Sequence, residues 1–246
     1  MGWQWFHRLG SPRWFYEKTA RWTLWLGLLS LVLLAIGTIW GLGFAPIERV
    51  QGNSYRIIYL HVPVAFLSMA GYYVMAISGA IGLIWKMKLA DMVMKSAAPI
   101  GVVLTFIALF TGAVWGKPTW GTWFEWRDPR IASTLLLFFL YLGVIALQAS
   151  YQNQQMADRF SAILAIVGMV NIPIMYGSVY WWNSLHQGAT LKLSGETSMH
   201  SSMLYPLLVM IAAFYCFYAY ILVKNVRAEI LQREYRTQWV KELVSG

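Results

Sequence analysis

Six stretches of this chain, 22–44, 57–85, 96–115, 131–151, 160–182 and 201–223, contain no Asp, Glu, Lys or Arg. Each is long enough to cross a hydrocarbon layer of about 30 Å, which takes roughly 20 apolar residues as helix. Inside lipid the backbone finds no water to bond, so only helices and closed barrels can span it. A barrel would show short segments of alternating polarity, and none is present. The expected fold class is therefore all-α: a polytopic membrane bundle of six transmembrane helices, forming one domain over 1–246. The first span is too long for a signal-peptide core and lacks a small-x-small cleavage site before the next loop, so it is expected to be retained.

Composition narrows the function classes. Hydrophobic residues make up 59% and charged residues 12%, against about 25% charged in soluble domains. The net charge of +9 would suit nucleic acid, but the basic residues flank apolar runs and build no basic face. A nucleic-acid partner is thus not expected, and membrane lipid is. The single cysteine, Cys216, excludes a disulfide framework, a cysteine zinc site and an iron–sulfur cluster. In mid-span it reads as a small packing residue. There is no P-loop and no constellation for acyl or phosphoryl chemistry, so no catalytic residue is assigned and any ATP hydrolysis belongs to a partner.

Loop charge sets the expected orientation. The two tails and the loops after spans two and four hold 13 Lys and Arg, and the other three loops hold 6. Both termini are expected in the cytoplasm. The loops at 45–56, 116–130 and 181–200 then face outward.

The middle outer loop, 115–130, concentrates Trp115, Trp120, Trp123, Trp126 and Phe124 among Gly116, Gly121, Pro118 and Pro129. An interfacial aromatic belt is one reading. A flat aromatic platform is the other, because Trp120, Trp123 and Trp126 recur every third residue and a short helix would align them. Both stay open on periodicity alone.

The run W-G-x-P-x-W-G-T-W-x-x-W followed by Asp-Pro-Arg resembles the tryptophan-rich WWD signature of the haem-handling proteins of cytochrome c maturation. Gly52 through Pro63 and Trp181 through Gly188 extend the likeness, and length and span number are most similar to the CcmC family. The family pattern sets Asp directly after the last Trp. Here Arg127 separates Trp126 from Asp128, so the turn is either longer by one residue or rebuilt around Asp128 and Pro129.

The resemblance implies a bacterial inner-membrane protein that binds haem b non-covalently at the periplasmic face. It implies delivery to the haem chaperone CcmE in company with CcmA, CcmB and CcmD, and a part in haem export. Axial ligation is carried by it onto His61 and His186, and the platform onto Trp115, Gly116, Trp120, Gly121, Trp123, Trp126 and Asp128. Depth permits the same assignment: His61 begins span two and His186 follows span five, both level with the tryptophan loop. A neutral imidazole is a good ligand for haem iron. Arg56, Arg130 and Lys117 are the cations at that level for haem propionates. His7 and His200 read as surface residues. Covalent attachment is not expected, since Cys-x-x-Cys-His is absent. Two other readings remain: a membrane haem protein of electron transfer, and a structural subunit docking a partner through its tryptophan loop.

Overall fold

A computed structural model of the chain describes residues 10–186, 197 and 199–245. His7, Lys192 and the Gln187–Gly188 pair lie outside the described residues. Six helices are long and apolar enough to cross a membrane, and among the described residues the only β pairing is an isolated bridge, Glu48–Gly52.

α1 runs Pro12–Thr38 and continues as a π-helical stretch, Ile39–Phe44. It starts ten residues before the apolar run because Ser11 caps it, accepting from Trp14 N, with Pro12 in the first turn, a position where proline's missing N–H costs nothing. A 3₁₀ turn, Asn53–Ile57, leads into α2, Ile58–Trp85. α3, Lys88–Trp120, extends five residues beyond the expected span and ends at Gly121, φ +79°, a left-handed stop suited to glycine. α4 is Pro129–Ser150, capped by Asp128.

The fifth span is two helices, α5 (Gln154–Gly168) and α6 (Asn171–Trp181). Pro173 accounts for the break: it has no N–H for the Met169 carbonyl and its ring crowds it. α7 spans Ser201–Arg233, with the His200 side chain capping it through Ser202 N. A short α8, Gln238–Ser245, follows.

α2 is the central helix, packed on α3, α5 and α7, while α1 lies along α7 and leaves Trp22, Trp25 and Leu31 exposed to face lipid. Apolar burial drives little here, because lipid is as apolar as the core, so close approach at small residues carries the packing. A Cβ on Gly79 would stand 3.1 Å from Ala162 Cα, and one on Gly101 only 2.0 Å from the Tyr141 ring. Tyr141 is fully buried there, with its hydroxyl donating to Ser68 O at 2.8 Å.

At the end where α1 starts and α7 finishes, a buried ionic network ties three helices. Arg233 of α7 forks onto Asp158 of α5, at 2.7 and 3.0 Å. Glu229 accepts from Arg233 at 2.5 Å and from Lys95 of α3 at 2.7 Å. The opposite end carries the tryptophan loop.

Candidate functional site

His61 stands one turn into α2 with its ring beside Gly112 of α3, where a Cβ would come within 3.2 Å of His61 Cε1. Its Nδ1 is 2.9 Å from Thr111 Oγ1. The Thr111 hydroxyl donates to Ile107 O at 2.6 Å, so toward His61 it can only accept. Nδ1 therefore carries the proton and Nε2 keeps a free lone pair.

His186 reaches the same place from the segment after α6. Its Nδ1, which makes no hydrogen bond, lies 3.4 Å from Asp128 Oδ1. A carboxylate only accepts, so again Nε2 is the nitrogen left over.

Asp128 organises this corner. Oδ1 accepts from Arg130 N and Ile131 N at 2.9 and 3.1 Å, capping α4. Oδ2 accepts from Ser184 Oγ and Leu185 N at 2.8 and 2.7 Å, holding the segment that bears His186. Burial pushes the Asp128 carboxyl up. The His186 ring and the bonds from Ser184, Leu185 and Ile131 outweigh it and hold the group well below the usual carboxylate range.

Aromatic rings wall both imidazoles. Trp120 packs on His186, centroids 4.9 Å apart, and Trp115 meets His61 edge-on at 5.7 Å. Trp115 is fixed by Nε1 donating to Gln51 Oε1 at 2.7 Å. Gln51 is set in turn by its N–H bond to Glu48 Oε2, a bond that lowers the Glu48 carboxyl despite its exposure. Gly116 leaves room for Trp120 to fold back, since a Cβ there would lie 3.1 Å from its ring.

Two adjoining clefts open at this end and share His61, Ala65, Gly112, Trp120, Arg130 and His186. The larger encloses about 1150 Å³ of space including its open mouth. Tyr55, Phe66, Tyr176, Tyr180 and Leu207 complete its apolar wall. Arg130 lines both clefts, and its charge is attracted by Asp128. Two imidazole nitrogens without a hydrogen bond among the described residues, apolar walls and the Arg130 cation suit a large, flat, apolar metal complex with acidic edges.

The structure thus brings together His61, His186, Trp115, Trp120, Trp123 and Arg130. It places the other expected residues differently. The helical stripe through Trp120, Trp123 and Trp126 does not form, because Gly121 ends α3 and the chain beyond is irregular. Trp123 touches the smaller cleft but is 57% exposed, while Trp126, 72% exposed, packs on Phe124 and lines neither cleft.

Arg56 donates to Ala45 O at 2.9 Å and Lys117 to Gly121 O at 3.0 Å; neither lines the clefts. Gly121 acts through its backbone conformation and Asp128 through its bonds, so they support the site without walling it. Arg127 sits exposed in a turn closed by Asp128 N to Glu125 O, 3.1 Å, which lets Asp128 tuck under despite the extra residue.

Sequence reasoning missed Thr111 and Gly112. A hydroxyl inside an apolar span, one turn before Trp115, was the available signal. It also missed Tyr176 and Tyr180.

Residues 5–241 match the family CcmC, heme exporter protein C. "Heme exporter protein C" of Escherichia coli strain K12 is 47% identical over 242 residues, 98% of this chain and 97% of the relative. The protein of that name from Haemophilus influenzae is 42% identical, covering 98% of both chains. The Rhodobacter capsulatus protein is 37% identical over 91% of this chain and 92% of its own. With six membrane-crossing helices and similarity along nearly its whole length, this chain belongs to the CcmC, heme exporter protein C, family.

Proposed function

We propose that the cleft between His61 and His186 holds haem b non-covalently as cargo, for use in cytochrome c maturation. The carrying observation is the pair of imidazoles: each has its Nδ1 turned to an acceptor, so each offers Nε2 to the cleft they share. Haem iron takes two such nitrogens as axial ligands. Trp115 and Trp120 supply apolar ring faces, and Arg130 supplies a cation for a propionate.

The protein is a multi-pass inner-membrane protein whose part is to bind and pass on cargo. Nothing in the donor set asks for bond-making by the chain. With the 13-to-6 bias of Lys and Arg, positive-inside topology sets the cleft at the periplasmic face. From there haem goes to the chaperone CcmE, while CcmA, CcmB and CcmD supply ATP hydrolysis and the rest of the complex.

The test is haem content. The purified protein should show a Soret band of bis-histidine character. His61→Ala and His186→Ala should each deplete co-purified haem, and His200→Ala should not. Full occupancy in the double variant would end the ligand assignment. A reporter fused after Gly246 that is active only in the periplasm would invert the topology.

The exposure of Trp123 and Trp126 favours a second task for the loop. Large apolar rings left open beside a cargo site suit docking of a protein partner. In this reading Trp120 holds cargo and the outer pair meets the chaperone.

A further inference from the structure

The two imidazoles are not held alike. His61 is built into the body of the bundle: it is on α2, its Nδ1 is met at 2.9 Å by Thr111 on α3, and its ring lies against Gly112. To move it, two packed helices must part. His186 follows the end of α6 and has no helix of its own. What holds it is Asp128, whose Oδ2 takes both Ser184 Oγ and Leu185 N, while Oδ1 stands 3.4 Å from the His186 ring. Asp128 in turn ends the exposed segment that carries Trp123 and Trp126.

We propose that the two ligands have unequal roles: His61 is the fixed donor, His186 the releasable one, and Asp128 is the positioning residue that latches it. The inference rests on haem as the occupant. The physical reason is the number of contacts that must break. Freeing His186 takes two hydrogen bonds to one carboxylate and a ring contact with Trp120; freeing His61 takes disruption of the α2–α3 interface. A protein seated on Trp123 and Trp126 bears on the chain that leads to Asp128, so docking and release act on the same latch.

The experiment is ligand exchange in the purified full-length protein. Carbon monoxide added to the ferrous form must displace one axial imidazole, and the rate reports how readily that imidazole leaves. Asp128→Asn retains an N-cap side chain but removes the charge that Ser184 and Leu185 bond. It should raise the exchange rate by about tenfold, as loss of bonds to a charged group implies. Ser184→Ala removes one of the two bonds and leaves the α4 cap intact. It should raise the rate by a smaller factor, about threefold, and serves also if Asp128→Asn accumulates poorly. Thr111→Val acts on the ligand that stays, so the rate should remain within about twofold. In a His186→Gly background with added imidazole, Asp128→Asn should cause no further acceleration, because the latched group is gone.

Acceleration by Thr111→Val with Asp128→Asn and Ser184→Ala silent would reverse the roles and overturn the proposal. So would unchanged rates in all three variants, or an undiminished Asp128→Asn effect in the His186→Gly background. Failure of haem binding as such is read separately, as wild-type protein without a Soret band or as full occupancy in the double histidine variant.

Discussion

At one end of the bundle Arg233 forks onto Asp158, Glu229 takes both Arg233 and Lys95, and every partner in that network is another residue of the chain. At the other end His61, His186 and Arg130 converge on a cleft, and the atoms facing it have no acceptor or donor within the described structure. Both ends bury carboxylates among apolar helices, Asp158 and Glu229 at the first and Asp128 at the second. In the first, each charge offsets the desolvation of another and the result is a clamp across α3, α5 and α7. In the second, His61 is hydrogen-bonded only on its rear side, at Nδ1, His186 Nδ1 stands 3.4 Å from the Asp128 carboxylate without a hydrogen bond, and the front side is left for a guest. Incomplete pairing inside a well-packed frame separates a binding site from a structural knot.

That contrast can be broken most severely at the clamp. Arg233→Ala leaves Asp158 and Glu229 buried without their shared cation, which costs about 3–5 kcal/mol when a buried pair loses one member. Accumulation in the membrane and thermal stability in detergent should fall sharply. Haem per folded molecule should be unchanged, since the clamp lies at the far end. Selective haem loss in a stable variant would join the two ends in one function and refute the separation.

A smaller effect is expected at the open end. Trp120→Ala removes the ring packed on His186, and full burial of such an aromatic contributes on the order of 2–3 kcal/mol. Haem retention should drop by well over tenfold with normal accumulation. Trp123→Ala, at a position more than half exposed, should keep its haem and lose co-purification with the chaperone. Equal haem loss in both would restore the single platform through Trp120 and Trp123.

The mildest change sharpens the comparison by a few tenths of an ångström. Gly112→Ala places a methyl 3.2 Å from His61 Cε1, so the ring must give slightly. Stability should change by less than about 1 kcal/mol. The haem absorption bands should shift and retention weaken by a few-fold, because a ligand ring has little latitude. A wild-type spectrum would show that His61 is not held against α3 as the geometry indicates.

Spans, helical class and the level of His61 and His186 were all legible in the sequence. Twenty or more uncharged residues in lipid have one backbone solution, and a residue's depth follows from its distance along a helix. The family, too, was legible in the spacing of Trp115, Trp120 and Trp123 and in the flanking histidine motifs. The fifth span was expected as one continuous helix over 160–182, and only the folded chain showed it as two, parted before Pro173.

Which cation faces the cleft was not readable, because Arg56, Lys117 and Arg130 are equivalent by depth and charge. Arg56 bonds a carbonyl at Ala45, Lys117 a carbonyl at Gly121, and Arg130 lines the cleft, and those placements are set by how distant loops fold back. The tryptophan spacing suggested a stripe that Gly121 cancels with one left-handed residue. The support of each histidine was hidden as well: Thr111 is 50 positions from His61 and Asp128 is 58 from His186. Hydrophobic length is a local property that a sequence carries on its face. The choice of hydrogen-bond partner depends on directions and distances of a few ångströms between segments far apart in the chain, and only the packed helices decide it.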